Sequence, residues 1–258
     1  KGCVSFNAQD AVFQNAFTVS GTYKSGIAAL STLKSVVLKG AVTSADGLQV
    51  ENYPTGGTKT GGGMHFQSTV WDGSVTVGKG KDLYVRTYGT NVFNGAVAAG
   101  SLKLGGVASA GDYVSLGSSG NAFSSISTYQ PEIHCFAANV LCEADWSIAK
   151  ASARNAGRHS LHLHGNDQVL GYISNAPEGA TVSEESCVIS SELPCVLTLR
   201  GGAAGKTHTT GHRFDGKVSI VYNAVNETYV QVIGNLTDSA KRDHTTEGTI
   251  RVKNGTLR

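Results

Sequence analysis

The sequence predicts an all-β protein: an antiparallel β-sandwich preceded by a smaller β-rich N-terminal domain. Three observations lead to this fold class. β-Branched and aromatic residues recur at period two along most of the chain, and Gly, Asn, Asp or Ser mark the gaps. Glycine is abundant, with 33 residues, and only 16% of residues are charged. Strand candidates follow one another at intervals of about eight to twelve residues, which is typical of sandwiches.

Each predicted strand is a short run of alternating apolar and polar residues. The runs are 17–20, 35–38, 64–70, 74–77, 83–87, 112–116, 160–164, 195–199, 218–222, 228–233 and 249–252. Such strands bury one face and expose the other, which is the pattern of antiparallel sheets. Only 26–38 has a mildly helical spacing, which predicts one short helix at a sheet edge.

Two breaks divide the chain. The Gly/Thr-rich stretch 53–63 predicts either a mobile surface loop or a linker, and 90–100 is small and polar. We therefore place a boundary near residue 90. Residues 1–90 form the N-terminal β-rich domain, with a possible role in assembly or attachment, and 91–258 form the sandwich. We find no repeat with a period of about 20 to 50 residues.

Charge and hydropathy narrow the function classes. The chain has 21 Lys and Arg against 19 Asp and Glu, a net charge of +2. We therefore do not expect nucleic acid to be bound through the overall charge of the chain. No apolar run approaches the ~20 residues that cross a bilayer, so we expect no membrane insertion. A hydrophobic fraction of 40% excludes wholesale disorder. The first residue is Lys1, which indicates either a processed N-terminus or a cut chain.

Four of the five cysteines form two local pairs, Cys135 with Cys142 and Cys187 with Cys195. Each pair predicts a disulfide that closes a small loop, and Cys187 and Cys195 are expected to flank a hairpin. Cys3 is then left free, or it pairs with another chain. The alternative is five reduced thiols that pack as small hydrophobes. Low charge and three N-x-[ST] triplets favour an extracellular, cell-surface or virion location.

From about residue 91 the order of motifs resembles the concanavalin A-like or laminin G-like β-sandwich. The matching stretches are 99–106, 111–117, 144–148 and 214–223. This resemblance implies a jelly-roll, lectin-like fold, whereas the insertion 126–143 departs from it. Members of that family bind glycans, act as adhesive modules or virion parts, or hydrolyse sugars, and the fold does not choose among these roles.

We find no catalytic motif. Glycoside cleavage needs two carboxylates at a fixed separation, but the adjacent pair Glu184 and Glu185 points to opposite faces of an extended chain. G-x-S-x-G, H-E-x-x-H and a P-loop are all missing from the sequence. The sequence therefore predicts a protein that is not an enzyme.

The best candidate metal ligands are His162 and His164, which share one face of a strand. His208 is the predicted third ligand, and His212 is an alternative. Such a three-histidine site would suit zinc, and Asn166, Asp167 and Asp215 suggest calcium as a second possibility. The competing interpretation is a half-exposed strand whose histidines contact solvent. We therefore expect no obligatory cofactor.

A glycan site needs an exposed aromatic ring and polar loop residues. The candidates are Trp71, Tyr129, Tyr172 and Asn175. Trp146, by contrast, lies in an alternating strand, so we expect Trp146 and Ile148 in the core and Ser147 at the surface.

Taken as a sequence, the chain is predicted to be a non-enzymatic structural or adhesive surface protein, a subunit of a virion, fibre or pilus-like assembly. Its expected partners are copies of itself or neighbouring structural subunits, with surface glycans as a further possibility. The edge-strand candidates 4–8 and 249–253 carry little charge, which favours completion of the sheet by a neighbour. The alternatives are a soluble carbohydrate-binding module and a glycan hydrolase or lyase.

Overall fold

A computed structural model describes the strands and turns of this chain. It covers residues 10–19, 35–51, 64–65, 68–86, 90–105, 113–128, 132–148, 160–174, 188–233 and 244–258. Within these ranges every regular element is a β-strand. Among the same residues no helix has the length and apolar character needed to span a bilayer.

The described strands pair in parallel, in sheets of twelve, seven, four and three strands. The predicted antiparallel jelly-roll is therefore wrong, and with it the lectin-like sandwich implied by the resemblance. Alternation reports only that one face of a strand is buried, and it carries no information on the direction of the neighbouring strand. Antiparallel neighbours are joined by short hairpins, whereas here a strand pairs with one from the preceding turn of the chain. Asp72 and Asn94, for example, are hydrogen-bonded at a separation of 22 residues.

The chain forms two compact units, residues 1–124 (unit 1) and 125–258 (unit 2). The predicted domain boundary near residue 90 stays a prediction. The strands of unit 1 are β1 (Asp10–Phe13), β2 (Phe17–Val19), β3 (Ser35–Leu38), β4 (Val42–Ser44), β5 (Leu48–Glu51), β6 (Met64–His65), β7 (Ser68–Trp71), β8 (Val75–Val77), β9 (Asp82–Arg86), β10 (Thr90–Phe93), β11 (Val97–Ala98), β12 (Ser101–Gly105) and β13 (Tyr113–Leu116).

Unit 1 is built from coils that stack on one another. The consecutive strands β3, β4 and β5 belong to three different sheets, and β7, β8 and β9 repeat the arrangement one coil later, followed by β10, β11 and β12. Each strand therefore pairs with its equivalent in the adjacent coil, as in a parallel β-solenoid.

The interior of unit 1 is a column of large apolar side chains in register. Leu38 pairs with Trp71, Trp71 with Phe93, and Phe93 with Leu116. All four side chains are buried, and the Trp71 and Phe93 rings stack with centroids 5.3 Å apart. Stacking of like positions from successive coils is thus the main packing contact of this unit.

The corner after this column is lined by glycine. An added Cβ at Gly73 would collide with the backbone of Gly40, and one at Gly95 with the backbone of Gly73. These glycines lie in a repeated six-residue pattern: V-L-K-G-A-V at 37–42, V-W-D-G-S-V at 70–75 and V-F-N-G-A-V at 92–97. The expectation that the chain has no repeat is therefore wrong, because the unequal intervals between copies conceal the period.

The strands of unit 2 include two that are unusually long. They are β14 (Ser125–Thr128), β15 (Glu132–Cys135), β16 (Asp145–Ile148), β17 (Leu161–His162), β18 (Gln168–Leu170), β19 (Ile173–Ser174), β20 (Val188–Leu199), β21 (Thr207–Thr210), β22 (Arg213–Asn223), β23 (Val230–Ile233), β24 (Thr245–Thr246), β25 (Ile250–Asn254) and β26 (Thr256–Leu257). In β16, Trp146 and Ile148 are buried and Ser147 is exposed, which confirms that prediction.

β20 is interrupted by a bulge instead of a hairpin turn. Its register against β22 shifts between Ser191 and Cys195, and Glu192, Leu193 and Pro194 are exposed. A bulge accommodates proline because its N–H is not needed for the ladder. The strand therefore continues through the segment where the sequence predicted a turn.

The predicted disulfides are also wrong: Cys135, Cys142 and Cys195 form no disulfide. Cys135 is fully buried at the end of β15, whereas Cys142 lies in a turn with φ +56° and contacts the carbonyl of Val140. Burial raises the pKa of the Cys135 thiol far above its ordinary value, so it behaves as a small hydrophobe.

Several expectations fall on residues outside the described ranges. They concern the helix over 26–34, the loop 53–63, the edge strand 4–8, Cys3, Cys187, Glu184 and Glu185. The C-terminal part of 26–38 is strand β3 (Ser35–Leu38), so the helix does not extend to Leu38.

Candidate functional site

A cluster of histidines and carboxylates lies on the outer face of one sheet of unit 2. His134 of β15 pairs in register with His162 of β17, which pairs with Ser190 of β20. Their neighbours in the same strands, such as Ile133 and Leu161, are buried, so alternation turns the polar residues outward. The His134 and His162 rings therefore lie against one another, with centroids 4.5 Å apart and planes tilted by 35°.

His164 joins the cluster through a left-handed turn. Its φ is +50°, and that of Gly165 is +78°. The N–H of Gly165 donates to Ser191 Oγ at 2.8 Å, and a Cβ on Gly165 would lie 2.8 Å from the Leu193 side chain. The left-handed conformation of a non-glycine residue costs roughly 1–2 kcal/mol. The bulge in β20 and this turn thus hold the His164 ring beside His134, with centroids 5.0 Å apart.

Three side chains converge at one point. Glu132 Oε2 lies 3.5 Å from His162 Nε2 and 3.7 Å from His134 Nε2. One donor atom from each of these residues lies within 4.8 Å of the other two, which is close enough to share a metal ion. Two imidazole nitrogens and a carboxylate oxygen form a donor set typical of zinc and related ions.

A second layer of hydrogen bonds positions the rings. His134 Nδ1 lies 2.9 Å from His164 Nε2, and His164 Nδ1 lies 2.8 Å from Glu192 Oε1. His162 Nδ1 lies 2.9 Å from Ser190 Oγ. Each ring that faces Glu132 is therefore oriented through its other nitrogen.

Burial sets the charge of these histidines. Burial, followed in size by the effects of the neighbouring His162 and His164, lowers the pKa of His134 to about 4. Burial also lowers the pKa of His162, against the opposing effect of Glu132. The hydrogen bond from His164 lowers the pKa of Glu192. At neutral pH His134 is thus a neutral imidazole, which is the form that binds metals.

The structure joins two of the three predicted metal ligands and places the third elsewhere. His162 and His164 lie together, but His208 stacks on Tyr172 with centroids 3.9 Å apart and its Nδ1 lies 2.9 Å from Tyr229 Oη. His212 is fully buried beside Thr210. The oxygens of Asp215, suggested for calcium, accept hydrogen bonds from Gly216 and Thr245.

Sequence reasoning missed Glu132 and His134. A signal was present, because E-I-H at 132–134 and H-L-H at 162–164 both place two polar residues at period two around one apolar residue. Only the register between β15 and β17 shows that the two motifs are neighbours.

The predicted glycan-binding aromatics do not form one surface in the described part of the chain. Trp71 is fully buried against Phe93, so its ring offers no face to a sugar. Tyr172 is half-buried and His208 covers its ring. Tyr129 and Asn175 lie outside the described residues.

A second notable surface is the strand β25. It pairs with β22, so that Ile220 lies beside Ile250 and Tyr222 beside Val252. Ile220 and Tyr222 are fully buried, whereas Ile250 and Val252 are 52% and 49% exposed. These two side chains continue interior columns of the unit, and no described strand lies on their other side.

Comparison of the chain with protein-family models, with curated proteins and with solved structures finds no match. Its function is therefore argued from the geometry of these two surfaces.

Proposed function

We propose that the chain is a non-enzymatic structural or adhesive surface protein, a subunit of a virion, fibre or pilus-like assembly. The supporting observation is the uncovered strand β25, where apolar side chains that belong to interior columns face solvent. In the proposed assembly, a strand of a neighbouring copy pairs with β25 and covers Ile250 and Val252.

The chemistry of β25 favours this partner. A strand edge exposes unpaired N–H and C=O groups, and strand addition by another chain satisfies them. An inward-pointing charge is one device by which proteins protect such an edge from pairing. In β25 the residues aligned with the core are instead Ile250 and Val252, whereas Arg251 lies beside Val221 on the other face and Lys253 lies where the register against β22 shifts. A new strand would therefore meet an apolar surface on one face and a charged one on the other.

A matched pair of valine substitutions tests the proposal. Val252→Lys places a charge where the neighbour is expected to pack, and Val225→Lys places one at a valine that is 67% exposed in a turn. We expect the mass of the wild-type chain in sedimentation and light scattering to rise with concentration. Val252→Lys is expected to weaken this association at least tenfold, and Val225→Lys to leave it unchanged.

The outcomes that overturn the proposal are specific. A wild-type chain that stays monomeric at the highest concentration measured contradicts assembly. Equal effects of the two lysines show that association does not use β25. A filament or shell in electron micrographs of the wild type, lost in Val252→Lys, supports the proposed role in a surface assembly.

A further inference from the structure

We propose that Glu132, His134 and His162 form a binding site for one divalent transition-metal ion of the zinc type. The site lies on the outer face of β15 and β17, and it is separate from strand β25, on which the proposed assembly depends. The two proposals can therefore fail independently.

The hydrogen-bond chain behind His134 determines where its lone pair points. An ionised carboxylate only accepts, so His164 Nδ1 must donate its hydrogen to Glu192. In the tautomer of His164 with its single ring hydrogen on Nδ1, Nε2 accepts and His134 Nδ1 donates to it. Neutral His134 consequently directs the lone pair of Nε2 toward Glu132 Oε2, which is itself an acceptor.

The same reasoning applies to His162. Its Nδ1 is hydrogen-bonded to Ser190 Oγ, and its Nε2 lies 3.5 Å from Glu132 Oε2. With Nδ1 as the donor, two imidazole lone pairs and one carboxylate face a common point. Such an arrangement is repulsive unless a cation lies between the three groups.

The spacing fits an ion. Zinc binds imidazole nitrogen and carboxylate oxygen at about 2.0–2.2 Å, and tetrahedral coordination then separates two ligand atoms by roughly 3.3–3.5 Å. The observed separations from Glu132 Oε2 are 3.5 and 3.7 Å. Small movements of the side chains are sufficient to complete the coordination.

The hydrogen bonds behind the two histidines and the partial exposure of the ligands are both typical of metal sites in proteins. Metal-binding histidines are commonly oriented by a hydrogen bond at their other ring nitrogen, and here His134 Nδ1 and His162 Nδ1 are held in this way by His164 and Ser190. Three protein ligands leave a fourth position. The side chains of Glu132 and His162 are 30% and 29% exposed, so water or a small anionic ligand can reach that position.

Zinc titration of the full chain, stripped with a chelator and measured against a competing metal indicator, tests the site. We expect one zinc ion per chain. Glu132→Gln is expected to weaken binding by at least about 100-fold, because it removes a charged ligand. Glu192→Gln, which removes the carboxylate that His164 contacts, is expected to weaken it by about 10–100-fold. His208→Gln is the matched control, and we expect wild-type affinity.

Two further readouts guard against misfolding. Far-UV circular dichroism checks that each variant retains its strands, and the visible spectrum of bound Co²⁺ reports nitrogen and oxygen coordination directly. Wild-type affinity that is no tighter than that of Glu132→Gln overturns the proposal. Equal losses of zinc affinity in His208→Gln and Glu132→Gln also overturn the proposal. They would indicate instead the ligand set predicted from the sequence, which is His162, His164 and His208.

Discussion

Replacing Gly73 with alanine tests whether the coils of unit 1 pack backbone against backbone at their shared corner. The added Cβ would lie less than 3.0 Å from the Gly40 carbonyl oxygen, a separation that real Cβ atoms essentially never show. Relief requires two paired coils to move apart, and overpacking of this kind costs about 1–3 kcal/mol. The lower chain entropy of unfolded alanine returns about 0.4–1 kcal/mol. We expect a net loss of about 1 kcal/mol in the free energy of unfolding.

Gly117 provides the control, since it lies in the same corner one coil later, directly after Leu116 and in the position equivalent to Asn94. Its added Cβ would lie 3.3 Å from the Phe93 carbonyl oxygen, which a small adjustment accommodates. In differential scanning calorimetry, we expect Gly73→Ala to lower the Tm by about 2–4 °C and Gly117→Ala to change it by less than about 1 °C. Hydrogen exchange should also quicken at the Gly73 amide, which donates to Leu38 in the wild type. Equal Tm values for the two variants would refute the close packing of this corner.

Three further substitutions test the interior. Asn91 is fully buried, and its side-chain amide has no hydrogen-bond partner in the described part of the chain. Asn91→Leu is therefore expected to raise the free energy of unfolding, measured in urea, by about 1–3 kcal/mol. A decrease would show that the amide is hydrogen-bonded in the wild type. Trp146→Ala removes a buried ring whose Nε1 donates to Thr128, and we expect a loss of about 3–5 kcal/mol in the same assay, which an unchanged midpoint would contradict. Burial raises the pKa of Asp145, so the protonated form favours the folded state and this contribution to stability is lost as pH rises through the folded pKa. Asp145→Asn should therefore raise the free energy of unfolding most, relative to wild type, at neutral pH. A difference in stability that does not shrink on acidification argues against a buried charge.

The strands could be predicted because the sequence states which residues are buried. In β16 the alternation of Trp146, Ser147 and Ile148 is enough to assign both faces. The direction of pairing could not be obtained in this way, since a parallel and an antiparallel neighbour bury the same face of a strand. The repeated Gly40, Gly73 and Gly95 corners held that information, but the insertions between them obscured it.

The candidate metal site was predictable only where its residues share a strand face. His162 and His164 are two residues apart, so the alternation of a strand predicts that both lie on the same face. His134 lies 30 residues from its hydrogen-bond partner His164, and only the stacking of coils makes them neighbours. Glu192 enters through a bulge that no local pattern indicates. The predicted cysteine pairs were wrong for the opposite reason. Cys135 and Cys142 are close in sequence, but closeness in sequence does not make their side chains point toward each other.

Register in unit 1 is independent of how much chain lies between paired strands. Leu38 and Trp71 align as well as Trp71 and Phe93, although the first interval is considerably longer. The entropy of closing a loop grows slowly with its length, so added residues at a corner cost little. Such a framework can gain or lose surface segments over evolutionary time without refolding its core. It can also carry engineered insertions, and the exposed Lys79–Gly80 turn, where Gly80 has no neighbour within 4 Å of an added Cβ, is a suitable place to graft one.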